Sequence, residues 1–177
     1  MIRIAIIGPE STGKSELAQE LAVYFKGDWI PEYARTYVEQ LDRPYNYDDI
    51  CEIAKNQIQI QQIYSLKNSP EYVFFDTELI ITKVWFEYCY KKIPDFLKNY
   101  MCENYFDFYL LCAPDLPWIP DPVREHGDDR DYFFDWYKNE IQKLGTTFFI
   151  VNGQGEKRTQ NAIEAIESNL KKLLKYE

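Results

Sequence analysis

One stretch near the N-terminus constrains the fold more than any other, Gly8-Pro9-Glu10-Ser11-Thr12-Gly13-Lys14-Ser15. It has a glycine, four residues of any kind, a second glycine, a lysine and then a hydroxyl residue, which is the spacing of a phosphate-binding loop. Glycines at that separation let the backbone curl so that successive N–H groups converge on phosphate oxygens, and a helix starting there adds its positive end. The chemistry requires a strand before the loop and a helix after it. Both are present: the apolar run Ile2 to Ile7 precedes it, and Leu17, Ala18, Leu21, Ala22 and Phe25 follow on one helical face. Gly8, Glu10, Ser11, Thr12 and Gly13 would form the cradle for a nucleotide such as ATP. Lys14 would reach the β- and γ-phosphates, and the Ser15 hydroxyl would ligate Mg2+. The next position, Glu16, offers no threonine hydroxyl, and no nucleotide contact is assigned to it.

With 177 residues the chain is expected to form one domain. Its net charge of −9 argues against a nucleic-acid surface, because phosphate backbones are held by clustered Lys and Arg. Small anions stay compatible with that charge, since the loop makes its own positive potential. The 4 cysteines, Cys51, Cys89, Cys102 and Cys112, form no CxxC pair, and His126 is the single histidine, so neither a zinc site nor a disulfide framework is expected. Reduced thiols point to a cytoplasmic setting. No apolar run approaches the ~20 residues needed to span a membrane. Neither a membrane nor a partner protein is implied.

Helical and strand patterns alternate along the chain, as in an α/β fold with a mostly parallel sheet. Residues 28–32 read as a second strand, placed at an edge or strand end by Pro31. Residues 34–41 suit a short helix stopped near Pro44. A longer helix is expected from Tyr47 to Leu66, capped by Asn46 or Asp48, with Ile50, Ile53, Gln57, Ile60 and Tyr64 on one face. Gln57 in that stripe requires either a protein partner or a ligand cleft. Residues 72–76 form the next strand, followed by helical spacing through Ile81, Trp85 and Tyr88. A short helix opens at Pro94-Asp95, a buried strand spans 106–112, and the last strand spans 146–151 before a closing helix. The segment 113–145 is an excursion whose second half is helical and stops at Gly145. With residues 33–70 as an acceptor-binding region and 113–145 as a lid, the count is five strands and two excursions.

Several polar residues fall where chemistry would need them. Asp76 ends a buried strand, where a carboxylate can hold Mg2+ or cap the helix that follows. Glu32 ends the second strand, where it can accept or orient a hydroxyl proton, or simply pair with Arg35. Arg124 and Arg130 stand among acids in the excursion, as surface ion pairs or as lid cations that close over a γ-phosphate. Trp118, between Pro117 and Pro120, is either a stacking face at the lid hinge or a packed anchor.

These segments together resemble the nicotinamide riboside kinase domain of the NadR type, in the P-loop kinase superfamily. The resemblance runs through Gly8 to Ser15, Glu32-Tyr33-Ala34-Arg35, Phe75-Asp76-Thr77 with Thr82, Pro117-Trp118 leading to Asp121 and Arg124, and Arg130. It implies a five-stranded parallel sheet wrapped by helices and transfer of the ATP γ-phosphate to the 5′-hydroxyl of nicotinamide riboside. Lys14, Glu32, Asp76, Arg124 and Arg130 would be catalytic, and Ser15 and Asp76 would position Mg2+. Glu32, Tyr33, Arg35, Trp85, Trp118 and Asp121 would contact the riboside. Met1 lies at the kinase's own first strand, so the DNA-binding and adenylyltransferase segments of multidomain members are expected to be absent. The lid motif Asp-Gly-any-Arg of those members is replaced by Asp121-Pro122-Val123-Arg124, which bears on the choice of acceptor. The alternatives are another nucleoside or nucleotide kinase, or a noncatalytic ATP- or GTP-binding switch. Against a GTP switch, no Asn-Lys-any-Asp element is present.

Overall fold

The computed structural model describes residues 1–67, 70–102, 105–121 and 127–173, with side chains through Asn169. Five strands, β1 (Ile2–Ile7), β2 (Asp28–Ile30), β3 (Tyr72–Asp76), β4 (Phe108–Cys112) and β5 (Phe148–Val151), form one sheet in the order β2-β3-β1-β4-β5. Every pairing is parallel. The connections are α1 (Lys14–Phe25), α2 (Tyr33–Glu39), α3 (Tyr47–Ser65), α4 (Leu79–Tyr90), α5 (Asp95–Tyr100) and α6 (Arg130–Leu144), with α7 (Glu156–Leu173) closing the chain.

A parallel sheet is covered on both faces, which explains why its strands are apolar throughout rather than alternating. Ile4 and Ile6 turn to one face and pack with Leu17 and Leu21 of α1 and with Ala162 and Ile166 of α7. Ala5 and Ile7 turn to the other and meet Ile80 and Val84 of α4 and Phe133, Tyr137 and Ile141 of α6. A satellite core joins Ile50 and Ala54 of α3 to Leu79 and Phe86 of α4 and Leu97 of α5.

Asn46 is the cap of α3: its side chain accepts from the N–H groups of Asp48 and Asp49, and Asp49 returns a bond from the Asn46 N–H. Gln57 has a protein partner, since Thr82 Oγ1 donates to Gln57 Oε1 at 2.6 Å, tying α3 to α4. Gly145 ends α6 in the left-handed region at φ 67°.

Several expected boundaries are corrected. The second strand stops at Ile30, not residue 32, because Pro31 has no N–H for the ladder. The following helix occupies residues 33–39 rather than 34–41. The fourth strand begins at Phe108 rather than residue 106: the Asp107 N–H still donates to the Arg3 carbonyl at 2.9 Å, but the Arg3 N–H is taken by the Asp107 carboxylate at 2.6 Å, so the backbone pairing goes no further. The fifth begins at Phe148, not residue 146.

Candidate active site

Strand β1 delivers its chain into the loop at Gly8, and the turn is possible only without side chains at two points. A Cβ at Gly8, at φ 153°, would lie 2.7 Å from the carbonyl oxygen of Cys112, so the loop packs directly on the end of β4. Gly13 opens α1 in the left-handed region at φ 71°. Thr12 is buried and donates from Oγ1 to the Pro9 carbonyl at 2.8 Å. Lys14 donates from Nζ to the same carbonyl at 2.8 Å, so its ammonium lies folded over the loop. Glu16 follows in the first turn of α1, exposed at the border of the cleft described below.

Beneath the loop, Asp76 ends β3, beside Ile6 of β1 in the sheet register, and is almost fully buried. Burial pushes its carboxyl up, opposed by a hydrogen bond from Ser15 and by the charges of Lys14 and Arg35. Its Oδ1 is buried with no partner in the structure. Asp76 is not the cap of the next helix. That place belongs to Glu78, which accepts from the Ile80 N–H at 2.9 Å. Between them Thr77 takes φ 68°, an uncommon conformation for a β-branched residue. It is held by a bond from its N–H to the Ile6 carbonyl and one from its hydroxyl to the Asp76 carbonyl.

From the loop a cleft of about 1200 Å3 extends between the segments that follow β2, β3 and β4. Its walls are the residues of the phosphate loop, then Glu32, Arg35 and Val38, the 41–45 segment, Ile81, Trp85 and Tyr88 of α4, Leu116, Pro117 and Ile119 after β4, and Phe133 and Tyr137 of α6. Glu32 stands at the N-terminus of α2, without capping it, and its Oε2 is 3.9 Å from Arg35 Nε. The closer partner of Arg35 is Asp121, at 3.0 Å, with Glu39 at 3.2 Å. Burial lowers the affinity of Arg35 for its proton, but these carboxylates outweigh it and the guanidinium titrates above its ordinary value. Burial pushes up the Tyr137 hydroxyl, and the carboxylates of Glu10 and Glu32 add to the effect, so the three share one region of the site.

Trp85 lines the cleft and meets Tyr45 edge to face, with ring centroids 4.7 Å apart. The 41–45 segment is fastened by Arg43, which grips Asp49 with two bonds of 2.6 and 3.0 Å and holds that carboxyl down to about 2.

Tyr33 and Trp118 are not among the cleft-lining residues. Tyr33 packs toward Tyr37, with centroids 6.0 Å apart. Trp118 lies against Gly127, where an added Cβ would come within 2.9 Å of the indole, and its Nε1 faces Glu10 Oε2 at 3.5 Å. Arg130 donates to the Leu116 carbonyl at 2.7 Å, bracing the root of the excursion. The Ile119 N–H and the Ser11 hydroxyl bond across 3.1 Å, so this root docks on the phosphate loop. Arg124 falls outside the described residues, as do Pro122 and Val123.

Tyr45, Arg43, Val38 and Leu41 escaped the sequence reading. Val38 lies in the short helix expected there, while the 41–45 segment shows no periodicity and only Pro44 signals that the chain turns. The outlier at Thr77 had no sequence signal.

For a divalent ion, the described residues hold no group of three or more His, Cys, Asp or Glu. The orphaned Asp76 Oδ1 beside the Ser15 hydroxyl nevertheless suits Mg2+, which keeps several waters and takes one or two protein oxygens along with phosphate oxygens.

The loop-strand-helix junction and the parallel order β2-β3-β1-β4-β5 define a P-loop α/β domain of the kinase type. A family model described as an AAA domain matches residues 3–158, and the chain belongs to that family. It is 29% identical over 145 residues to the trifunctional NAD biosynthesis/regulator protein NadR of Escherichia coli K12, covering 80% of this chain and 34% of that protein. It is 29% identical over 132 residues to the protein of the same name from Salmonella typhimurium LT2, covering 72% and 32%. The chain thus spans about a third of the length of the curated relatives it matches. A crystal structure of a NadR protein in complex with NR superposes with a TM-score of 0.75 at 24% identity, covering 94% of this chain and 51% of that one. Thymidylate kinase from Ehrlichia chaffeensis shares the fold with a TM-score of 0.68 at 12% identity, covering 93% and 98%. The resemblance read from the sequence is therefore matched by relatives and by fold.

Proposed function

We propose that this chain is an Mg2+- and ATP-dependent kinase that phosphorylates the 5′-hydroxyl of a riboside, with nicotinamide riboside as the acceptor and nicotinamide mononucleotide as the product. One observation carries the reading. Glu32 and Asp76 follow neighbouring strands beside the phosphate loop, and Glu32 faces the cleft that leads from that loop to Trp85. The likeness to the NadR proteins over most of this chain supports the same substrate class.

Each residue then has a task. Lys14 leaves the Pro9 carbonyl for the β- and γ-phosphates, and the amides of residues 8–15 donate to phosphate oxygens. Ser15 and Asp76 hold Mg2+, which would neutralise charge on those phosphates. Glu32 accepts the proton of the 5′-hydroxyl as its oxygen bonds to the γ-phosphorus, while the bond between that phosphorus and the bridging oxygen breaks and ADP leaves. Arg35, fixed by Asp121 and Glu39, orients Glu32 and the ribose end of the cleft. Arg130 braces the lid root, and Arg124 is the lid cation for the γ-phosphate. The Trp85 face offers a stack for the acceptor ring. A pyridinium is favoured there, since a cation over an indole gains about 0.5–2 kcal/mol.

The test is to incubate purified protein with Mg-ATP and nicotinamide riboside, adenosine, deoxyadenosine, thymidine, cytidine or uridine, and to assay products by mass. Nicotinamide mononucleotide should form with at least about tenfold higher kcat/KM than any other product, the scale of one lost ring contact. A preferred nucleoside would replace the acceptor and leave the kinase. Absence of any phosphorylated product would end the kinase reading.

A further inference from the structure

Behind the phosphate loop lies a buried cation that the chemistry above does not use. Arg158, in the first turn of α7, is 4% exposed. Its Nη1 donates to Asp115 Oδ1 at 2.7 Å and to the Gly153 carbonyl at 2.8 Å, and its Nη2 donates to the Ala113 carbonyl at 3.0 Å. Asp115 also accepts from the Gly153 N–H at 2.7 Å. One guanidinium thus clamps the segment leaving β4 to the turn leaving β5. Its Nε is buried without a partner and would lie 3.9 Å from a Cβ at Gly13. Leu116, next to Asp115, would lie 3.2 Å from the same Cβ. The clamp therefore abuts the point where the loop becomes α1.

The two sides of the sheet assign this clamp a place. The acceptor wall of the cleft, with Glu32 and Arg35, follows β2, on one side of β1, while its rim at Leu116, Pro117 and Ile119 follows β4. Residues 113–116 and 153–158 follow β4 and β5, on the other. A triphosphate whose terminal phosphate meets an acceptor over β3 must run its nucleoside the opposite way, toward β4 and β5. The walls it meets there are the two segments that Arg158 holds together.

Resting on the nucleotide-binding reading above, we infer that Arg158, with Asp115, is a positioning residue for the nucleoside half of the donor. It sets the spacing of the 113–116 and 153–155 walls from behind, without touching the phosphates. Burial pushes the Asp115 carboxyl up, but the Gly153 N–H and Arg158 outweigh it and hold it below its ordinary value, so the carboxylate is ionised at neutral pH. A monodentate lysine at 158 cannot reach three acceptors on two segments, whereas the planar fork can.

The test compares Mg-ATP with magnesium tripolyphosphate, which engages only the phosphate loop, by calorimetric titration of wild type, Arg158→Lys, Arg158→Met and Asp115→Asn. In the variants ATP should bind about tenfold more weakly, with tripolyphosphate within about twofold of wild type. In turnover, KM for ATP should rise with kcat at saturating ATP held within about threefold. Should Arg158→Met not fold, Asp115→Asn and Arg158→Lys carry the comparison. Equal loss of both ligands, or unchanged ATP binding, overturns the inference while leaving the kinase standing. A wild type that binds tripolyphosphate but not ATP overturns both.

Discussion

Asp76 and Glu32 are carboxylates with opposite circumstances, and their variants should separate accordingly. Glu32 stands in the open cleft among Arg35, Glu10 and Tyr137. Glu32→Gln keeps the shape and removes the proton acceptor, so kcat should fall about 10^2- to 10^4-fold with KM for ATP little changed. Near-normal turnover would remove Glu32 as the base. Asp76 is buried, with its carboxyl pushed up and one oxygen orphaned. A carboxyl raised in the folded state loses stability as pH rises from its unfolded value through the folded one. Asp76→Asn, neutral at every pH, should therefore melt higher than wild type at pH 8, with the advantage fading by pH 4. The same change should lower kcat/KM at least about 100-fold, because the metal ligand is gone. Loss of activity without the gain in melting temperature would leave Asp76 as an ordinary core contact. Both residues were legible in the sequence because each follows an apolar run, Asp76 at the end of its strand and Glu32 just past the end of its own. What the run could not show is that Glu78, two residues on, takes the capping task and leaves Asp76 free of it.

At the scale of elements, α4 carries Ile81, Trp85 and Tyr88 into the cleft, and its cap is a carboxyl pushed up to about 8 by burial. The N–H groups of Ile80 and Leu79 oppose that shift without cancelling it. Because the folded value lies above the unfolded one, stability is full below the usual carboxylate range and declines as pH rises toward 8. Glu78→Gln, which can still accept from Ile80, should flatten this slope and stabilise the protein above pH 7, by at most about 5 kcal/mol at ~1.4 kcal/mol per pKa unit. Urea melts between pH 5 and 9 would check it, and parallel slopes would show Glu78 already neutralised by another route. The 41–45 segment depends instead on the Arg43–Asp49 pair. Arg43→Ala should release that wall, raising KM for the riboside severalfold with KM for ATP unchanged, as steady-state kinetics would show. Helices were readable where periodicity was long, as in α3 with its Asn46 cap. The 41–45 segment, held mainly by the Arg43–Asp49 bonds and by Tyr45 packing, left no period to read. Strand ends shifted for a related reason, since Pro31 and Asp107 decide them through single hydrogen bonds that hydropathy does not register.

The cleft belongs to the whole molecule. Its walls come from the phosphate loop and from residues within the stretches 32–45, 77–88, 116–119 and 133–137, Tyr33 and Trp118 excepted, which only the wound sheet brings together. That convergence explains why the donor site could be read from eight consecutive residues, and the acceptor side only by resemblance. It also means that a nucleotide bridges segments the fold itself joins weakly, such as the Ile119–Ser11 contact that docks the root of the 113–145 excursion on the loop. A ligand bound only by the folded state at 100 times its Kd adds about 2.7 kcal/mol. For a chain of this length that raises the melting temperature by about 5–10 °C, at roughly 2–4 °C per kcal/mol. Mg-ATP should give this shift in differential scanning fluorimetry, and EDTA should cut it sharply if Ser15 and Asp76 hold the metal. Lys14→Ala should abolish it, because the ammonium that leaves Pro9 for the phosphates is gone. Adding nicotinamide riboside with a nonhydrolysable ATP analogue should then raise the melting temperature beyond the sum of the separate shifts. Each ligand orders walls that the other also touches, so the second to bind has less to organise. A merely additive response would mean that donor and acceptor sides close independently and that the excursion rooted at Leu116 to Ile119 does not couple them.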